Sequence, residues 1–441
     1  MSEHPLTLST RMIDSGVAET PPNRITNELS ELADGVAIVE SFSHVVAIDS
    51  GDGLVLFDAS SAPTGKAVAA SLRRWSDEPV DTIVYTHGHL DHVGGSRVFA
   101  AEAAERSRPR PRVIGQARLP ARFERYQATS GYNQTINLRQ FGGAAAAAAS
   151  ERQDRPFLPQ GTLWPDVTYE DELRERIGEL RMELHHCLGE TDDHTWTWLP
   201  DRGMICAGDQ FIWNFPNCGN PQKVQRYPVE WAESLRAMAA CNAELFVPAH
   251  GLPITGRDRI RHCLEIVAAT LEALVGQVIE AMNSGASLDD IVHSVSVPAD
   301  TLALPYLRPL YDEPEFVIRN IWRLYGGWWD GNPARLKPPS DHAIGVELVA
   351  LAGGIAPLVE RALELSAAGK HRVSCQLIEL AVAAEPESLA VHEARSAIYG
   401  ARRGAETSLM AKGIFRSAKA DSDAVVTGEV PKTRMVLKLS D

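Results

Sequence analysis

The run Thr86-His87-Gly88-His89-Leu90-Asp91-His92 sets three imidazoles and a carboxylate within six positions, directly after the apolar stretch Thr82-Ile83-Val84-Tyr85 and directly before Gly94-Gly95. Neutral imidazole and carboxylate suit a borderline cation such as zinc, and a catalytic centre keeps one position open for water. His87 and His89, two apart on a tight turn, can face one ion. Asp91 and His92 can reach a second beside it, and two ions a few ångström apart can share one hydroxide. A single histidine here would read as part of a polar surface loop. Four ligand-type side chains at the end of an apolar strand point to metal.

The surrounding pattern supplies the elements that must hold this loop. From Gly35, short apolar runs alternate with turn signals: Val36-Ala37-Ile38-Val39, Val45-Val46-Ala47-Ile48, then Leu54-Val55-Leu56-Phe57 after Asp52-Gly53. These predict an antiparallel meander. Helical spacing over Thr64 to Trp75, a strand before the His-rich loop, a helix from about Ser96 to Glu105 and a strand at Val113-Ile114 predict an α/β sandwich. Three later ligand-type residues also follow stretches that read as strands: Glu190 after Arg181–His186, Asp209 after Gly203–Gly208, and His250 after Leu245–Ala249. A site at one edge of a sheet sandwich follows.

Residues 1 to about 30 read as a polar leading arm, and Gly142 to Ala149 as low-complexity sequence without a function. Beyond Arg257 the texture becomes helical, with an apolar stripe over Asp258 to Met282, a helix start at Ser287-Leu288-Asp289-Asp290, and a helix over Phe316 to Trp329. Three more helices near 356–368, 371–384 and 387–400 have the period of tetratricopeptide-type pairs. The division expected is 1–256, 257–411 and a polar tail over 412–441.

Composition narrows the partners. The 441 residues are 44% hydrophobic and 23% charged, ordinary values for a globular chain with more than one domain. A net charge of −15, with no basic block interleaved with aromatics, argues against nucleic acid. No long apolar run is free of charge, so no membrane span is expected. The six cysteines form no CxxC, and the start of the chain has no leader pattern; a cytoplasmic setting with reduced thiols is the expectation.

The segment Thr86–Gly95 resembles the HxHxDH signature of the metallo-β-lactamase superfamily, and Glu190, Asp209 and His250 fall in its expected order. Glu190 in Gly189-Glu190-Thr191, the string Gly327-Trp328-Trp329-Asp330-Gly331-Asn332-Pro333 and the helical region around it are similar to the zinc-dependent alkyl sulfatases. The resemblance implies an αββα sandwich followed by an all-α, tetratricopeptide-like dimerisation domain. It further implies two zinc ions, one on His87, His89 and Glu190, the other on Asp91, His92 and His250, bridged by Asp209. Glutamate is usual at that bridging place, so Asp209 is a departure. The family's sulfate-holding segment matches weakly in Phe211–Lys223, where Asn217 corresponds and Lys223 or Arg226 supplies positive charge. The family's closing C-terminal domain has no counterpart. Asp58 resembles the aspartate that supports the metal loop from behind.

Tyr132, Asn133, Asn137 and Arg139 fall where the family places substrate-facing residues, and a solvated loop is the equal alternative for them. Asp193 and His194 are close enough to Glu190 to orient it, and His194 could give a proton to a leaving group. His186 reads as a core histidine, and Trp328-Trp329 as dimer or domain core. The expected activity is hydrolysis of a small anionic ester, an alkyl sulfate, by a metal-held hydroxide, with Asp91 and Asp209 at the reacting centre, in a homodimer. Two rivals stay open. One keeps the metals and changes the ester to a thioester, lactone or phosphoester; the other makes the chain an interaction protein with a vestigial site.

Overall fold

The computed structural model describes residues 3–141 and 156–429, so the Gly142–Ala149 run lies outside the described residues. Among the described residues, thirteen strands form two mixed sheets. In the first, β1 (Glu28–Ala33), β2 (Val36–Glu40), β3 (Val45–Asp49), β4 (Leu54–Phe57), β5 (Val80–Val84), β6 (Arg112–Gln116) and β7 (Val167–Tyr169) lie side by side in chain order. The first four pair antiparallel and the rest parallel. The second sheet orders β13 (Ile254–Thr255), β12 (Leu245–Pro248), β11 (Met204–Gly208), β10 (His194–Leu199), β9 (Leu180–Cys187) and β8 (Glu172–Ile177).

Side chains alternate across a strand, and the chain uses both faces. Val55 and Phe57 of β4, with Met204 and Cys206 of β11 and Val247 of β12, fill the layer between the sheets. Leu54 and Leu56 of the same β4 face outward against Val68 and Leu72 of the helix Gly65–Trp75 and Phe99 of the helix Ser96–Glu105. Ile205, Ala207 and Phe246 face the other way, onto Trp231 and Leu235 of the helix Pro228–Ala240 and Leu264, Leu271 and Leu274 of the helix Arg257–Asn283. Burial on both faces is why these strands read as continuous apolar runs rather than alternating ones. The result is the expected αββα sandwich.

The leading arm differs from expectation. Pro5–Ser15 is a helix whose Leu8 and Met12 enter the outer core, four residues apart on one face. The division of the chain differs as well: one compact unit holds residues 3–130 and 156–328, and a second holds 131–141 and 329–429. The helix Arg257–Asn283, just past the boundary expected at 256, buries its apolar stripe in the same cluster as Trp196 and Trp231. That helix is long and apolar enough by composition to cross a bilayer, but half of its most apolar window is packed inside the protein.

The second unit carries the helices Asp341–Ala352, Ile355–Ala367, His371–Ala384, Leu389–Gly404 and Leu409–Thr427. The last of these occupies much of the stretch expected to be a loose tail. Ser408 caps its start, Met410 is buried, and Ser422 accepts from Arg395 of the preceding helix at 3.0 Å. Trp328 is exposed in the single chain, at 72% of its possible surface, so it is not core here.

Candidate metal centre

All the ligand-type residues lie just past the carboxyl ends of strands. His87 follows β5, Glu190 follows β9, Asp209 follows β11 and His250 follows β12, so one rim of the sandwich collects them. Open sheets that carry parallel strands bind ligands at that end. His87, His89, Glu190 and Asp209 form one group that could hold a metal ion, and Asp91, His92 and His250 form another. Asp209 lies between them: its Oδ2 is 3.5 Å from His250 Nε2 and 4.0 Å from His87 Nε2. Its Oδ1 is 3.5 Å from His92 Nε2. Asp91 Oδ2 is 3.3 Å from His250 Nε2 and 3.5 Å from His92 Nε2.

The donor atoms fit a cation. His92 Nε2, Glu190 Oε2 and Asp209 Oδ1 are buried and have no hydrogen-bond partner among the described residues. Each such orphan costs about 1–3 kcal/mol. A divalent ion satisfies imidazole nitrogen and carboxylate oxygen together, and neutral imidazole is the form it needs. Burial, then the charges of neighbouring His92 and His89, hold His87 well below the ordinary histidine value. Burial works against charge on His92 too, but Asp209, Asp58 and Asp91 hold it well above that value. Burial pushes Glu190 up, against the pull of Arg226.

The backs of the ligands are braced. His92 Nδ1 lies 2.7 Å from Asp58 Oδ2, and Asp58 Oδ1 accepts the Thr86 amide at 2.8 Å. Asp58 therefore stands where the resemblance implied, with a left-handed backbone at φ 63°. Ser43 Oγ is 3.1 Å from the same imidazole nitrogen. His44 Nε2 lies 2.6 Å from the Gly251 carbonyl and steadies the His250 turn. Gly88 must be glycine: a Cβ there would come within 2.6 Å of Arg122 Cδ and 2.9 Å of Asp193 Oδ2. Buried Arg122 donates to Asp193 at 2.7 Å and pairs with Asp192, locking the turn after Glu190 against the His87–His89 turn. Sequence reasoning missed Arg122, Ser43 and His44, since no motif surrounds them. His186 also has a bracing place, with Nε2 at 3.0 Å from the Asp192 carbonyl.

Three expected roles change. His194 is fully buried; its Nε2 accepts the Asp209 amide at 3.0 Å and its Nδ1 faces Cys187 Sγ at 3.5 Å. Burial lowers it to about 4. With both nitrogens engaged it holds Asp209 in place and is no proton donor to a leaving group. Arg226, expected to grip the substrate anion, is buried and donates to Glu190 Oε1 at 2.7 Å. Asn217 Nδ2 donates to the same oxygen at 2.5 Å. Burial first, then the Arg226 charge, lowers the Lys223 ammonium to about 8, with Asp91 and Glu190 acting the other way. Tyr132, Asn133, Asn137 and Arg139 belong to the helix Ser130–Phe141 rather than to a loop. Tyr132 is exposed and Asn133 buried.

Comparison with known proteins now has a site to rest on. Residues 38–250 match the metallo-beta-lactamase superfamily. Residues 287–424 match a second family, alkyl sulfatase dimerisation. A linear primary-alkylsulfatase of a Pseudomonas species is 28% identical over 320 residues, covering 70% of this chain and 60% of the relative. An (R)-specific secondary-alkylsulfatase of a Pseudomonas species is 24% identical over 374 residues, 78% of this chain and 54% of the relative. The chain thus spans only part of the length of these relatives. Among solved structures, the stereoselective inverting sec-alkylsulfatase Pisa1 from Pseudomonas matches with a TM-score of 0.79 at 20% identity, covering 91% of this chain and 66% of the other. That likeness shows the fold alone.

Proposed function

We propose that this chain hydrolyses alkyl sulfate esters to alcohol and sulfate with two zinc ions. His87, His89 and Glu190 would hold one ion, Asp91, His92 and His250 the other, and Asp209 would serve both. The observation that carries the reading is the Asp209 carboxylate, set between the two groups at 3.5 Å from His250 and 4.0 Å from His87. Bound zinc supplies Lewis acidity: it makes water a nucleophile near neutral pH and offsets charge gathering on the ester.

The chain's own residues do the rest. His194 and the Gly208 turn fix the direction of Asp209, because a Cβ at Gly208 would fall 2.7 Å from the His194 ring. Asp58 fixes the His92 ring and its tautomer. Lys223 supplies the positive charge for the ester's anion. Phe42, exposed and edge-on to His250 at 5.7 Å between ring centres, puts an apolar surface beside the site for an alkyl chain. The named relatives act on alkyl sulfates, which supports the same ester class here. We also infer a homodimer formed through the helical region that matches alkyl sulfatase dimerisation.

A panel of a primary alkyl sulfate, a secondary alkyl sulfate, a nitrophenyl phosphate, an acyl lactone and a glutathione thioester tests the proposal alongside metal analysis. Turnover of the sulfates, with about two zinc per chain, is expected. Turnover of the lactone, thioester or phosphate alone would move the chain to the other ester class. Absence of any bound transition metal would favour the interaction-protein reading.

A further inference from the structure

The segment that carries Asn217, Lys223 and Arg226 has no regular secondary structure, yet its buried end meets Glu190 with hydrogen-bond precision. Something must hold it. The helix Pro314–Gly326 of the same compact unit lies against it, and the approach is close enough that a Cβ at Gly219 would fall 2.2 Å from the Phe316 and Val317 backbone. Asp312, just before that helix, accepts the Gly219 amide at 2.6 Å.

The polar centre of this contact is Asn320. It is 6% exposed, and its Nδ2 donates to the Arg226 carbonyl at 2.9 Å. Its Oδ1 accepts from Gln225 Nε2 at 3.0 Å and from Arg323 Nη2 at 3.2 Å. Gln225 Nε2 also donates to the Arg226 carbonyl, at 2.9 Å, and Arg323 Nε donates to Gln225 Oε1 at 2.8 Å. Every polar atom of the Asn320 side chain is therefore spent on the backbone and neighbours of Arg226. At the other end of that residue, Nη1 donates both to Glu190 Oε1 and to the Asn217 carbonyl.

We infer that Asn320 is a positioning residue for the first ligand group: through the Arg226 backbone it sets the guanidinium that orients Glu190. The helix that carries it lies within residues 287–424, matched to dimerisation, so that region contributes directly to the order of the metal centre. The chain of contacts is continuous and short, and a buried carboxylate that accepts two charge-assisted or amide bonds on one oxygen has its other oxygen aimed by them. The inference rests on the metal reading and is independent of which ester is cleaved.

The test is a Co(II) titration of the metal-stripped full chain, read from the visible absorption of the bound ion, with thermal unfolding followed in parallel. Asn320→Ala, which acts on Glu190 only through Arg226, is expected to weaken one of the two binding events by several-fold, less than the roughly 10–100-fold cost of losing a partner bonded to a ligand itself. Gln225→Ala, which removes one of the two donors to the Arg226 carbonyl, is expected to move the same event in the same direction by less. Leu271→Ala, in the core of the same unit, is expected to lower the unfolding temperature and leave both binding events unchanged. Wild-type affinity in folded Asn320→Ala would overturn the inference, and so would an equal loss of affinity in Leu271→Ala. If Asn320→Ala does not fold, half-buried Gln225→Ala decides, and its unchanged titration would overturn the inference. A wild-type chain that binds no Co(II) would instead overturn the metal reading.

Discussion

Arg226 Nη1 donates to Glu190 Oε1 at 2.7 Å, and both side chains are 2% exposed. Removing one partner of such a pair leaves a buried charge uncompensated, which costs about 3–5 kcal/mol. Arg226→Met should therefore lower stability by about that amount in urea unfolding and reduce metal retention. Arg226→Met combined with Glu190→Gln should recover part of the stability but none of the metal. An Arg226→Met variant as stable as the parent would show that the pair is not held as described.

Asp58 is bonded to His92 at 2.7 Å and to the Thr86 amide at 2.8 Å, so it aims the imidazole and the loop that carries it. Asp58→Ala should lower metal affinity by about 10–100-fold. His92→Ala should cost more, because the donor atom itself is lost. Equilibrium dialysis against a zinc buffer distinguishes the two. Equal affinity in Asp58→Ala and wild type would remove Asp58 from the support of the site.

Lys223 predicts a pH dependence. Burial first, then the nearby Arg226 charge, lowers its ammonium to about 8. The group is charged below that pH and neutral above it. Binding of an anionic ester should therefore weaken as pH rises past about 8, seen as a rising KM. Lys223→Ala should raise KM at pH 7 by roughly 10–100-fold, the worth of a bond to a charged group, and should flatten that limb. Lys223→Arg, which keeps its charge to far higher pH, should hold KM low beyond pH 8. A wild-type KM that is flat from pH 7 to 9 would count against Lys223 as the anion holder.

The helix Asp341–Ala352 buries only Gly345 in the single chain, while Ile344, Val346 and Leu351 are 40%, 45% and 84% exposed. An apolar helix left open in a region matched to dimerisation is the face expected to meet a second copy. Light scattering should give twice the chain mass for the parent and the single mass for Leu351→Glu. A parent that runs at the single mass would end the dimer reading.

The sequence by itself determined the parts whose partners are local. His87, His89, Asp91 and His92 lie within six positions, so one turn brings them together and their spacing announces the chemistry. The strands and the long helices were equally legible, because two-residue and 3.6-residue apolar periods depend only on neighbouring side chains. Glu190, Asp209 and His250 could be found because each follows a stretch that reads as a strand.

Tertiary structure decided what those residues lean on. Arg226 meets Glu190 across 36 positions, and the Gly88 amide meets Asp193 across 105. No periodicity in the chain records contacts of that span. Arg226 looked like a free cation for substrate because a guanidinium in a polar segment is normally solvated. Only the fold shows it buried against a carboxylate. His194 looked like a proton donor because it stands four positions from Glu190, but the strand β10 points its ring at the Asp209 backbone instead. The leading helix and the last helix were hidden because each sits in a polar terminal stretch whose few buried side chains find their partners far along the chain. A few contacts settle them, Leu8 and Met12 at one end and Met410 and Ser422 at the other.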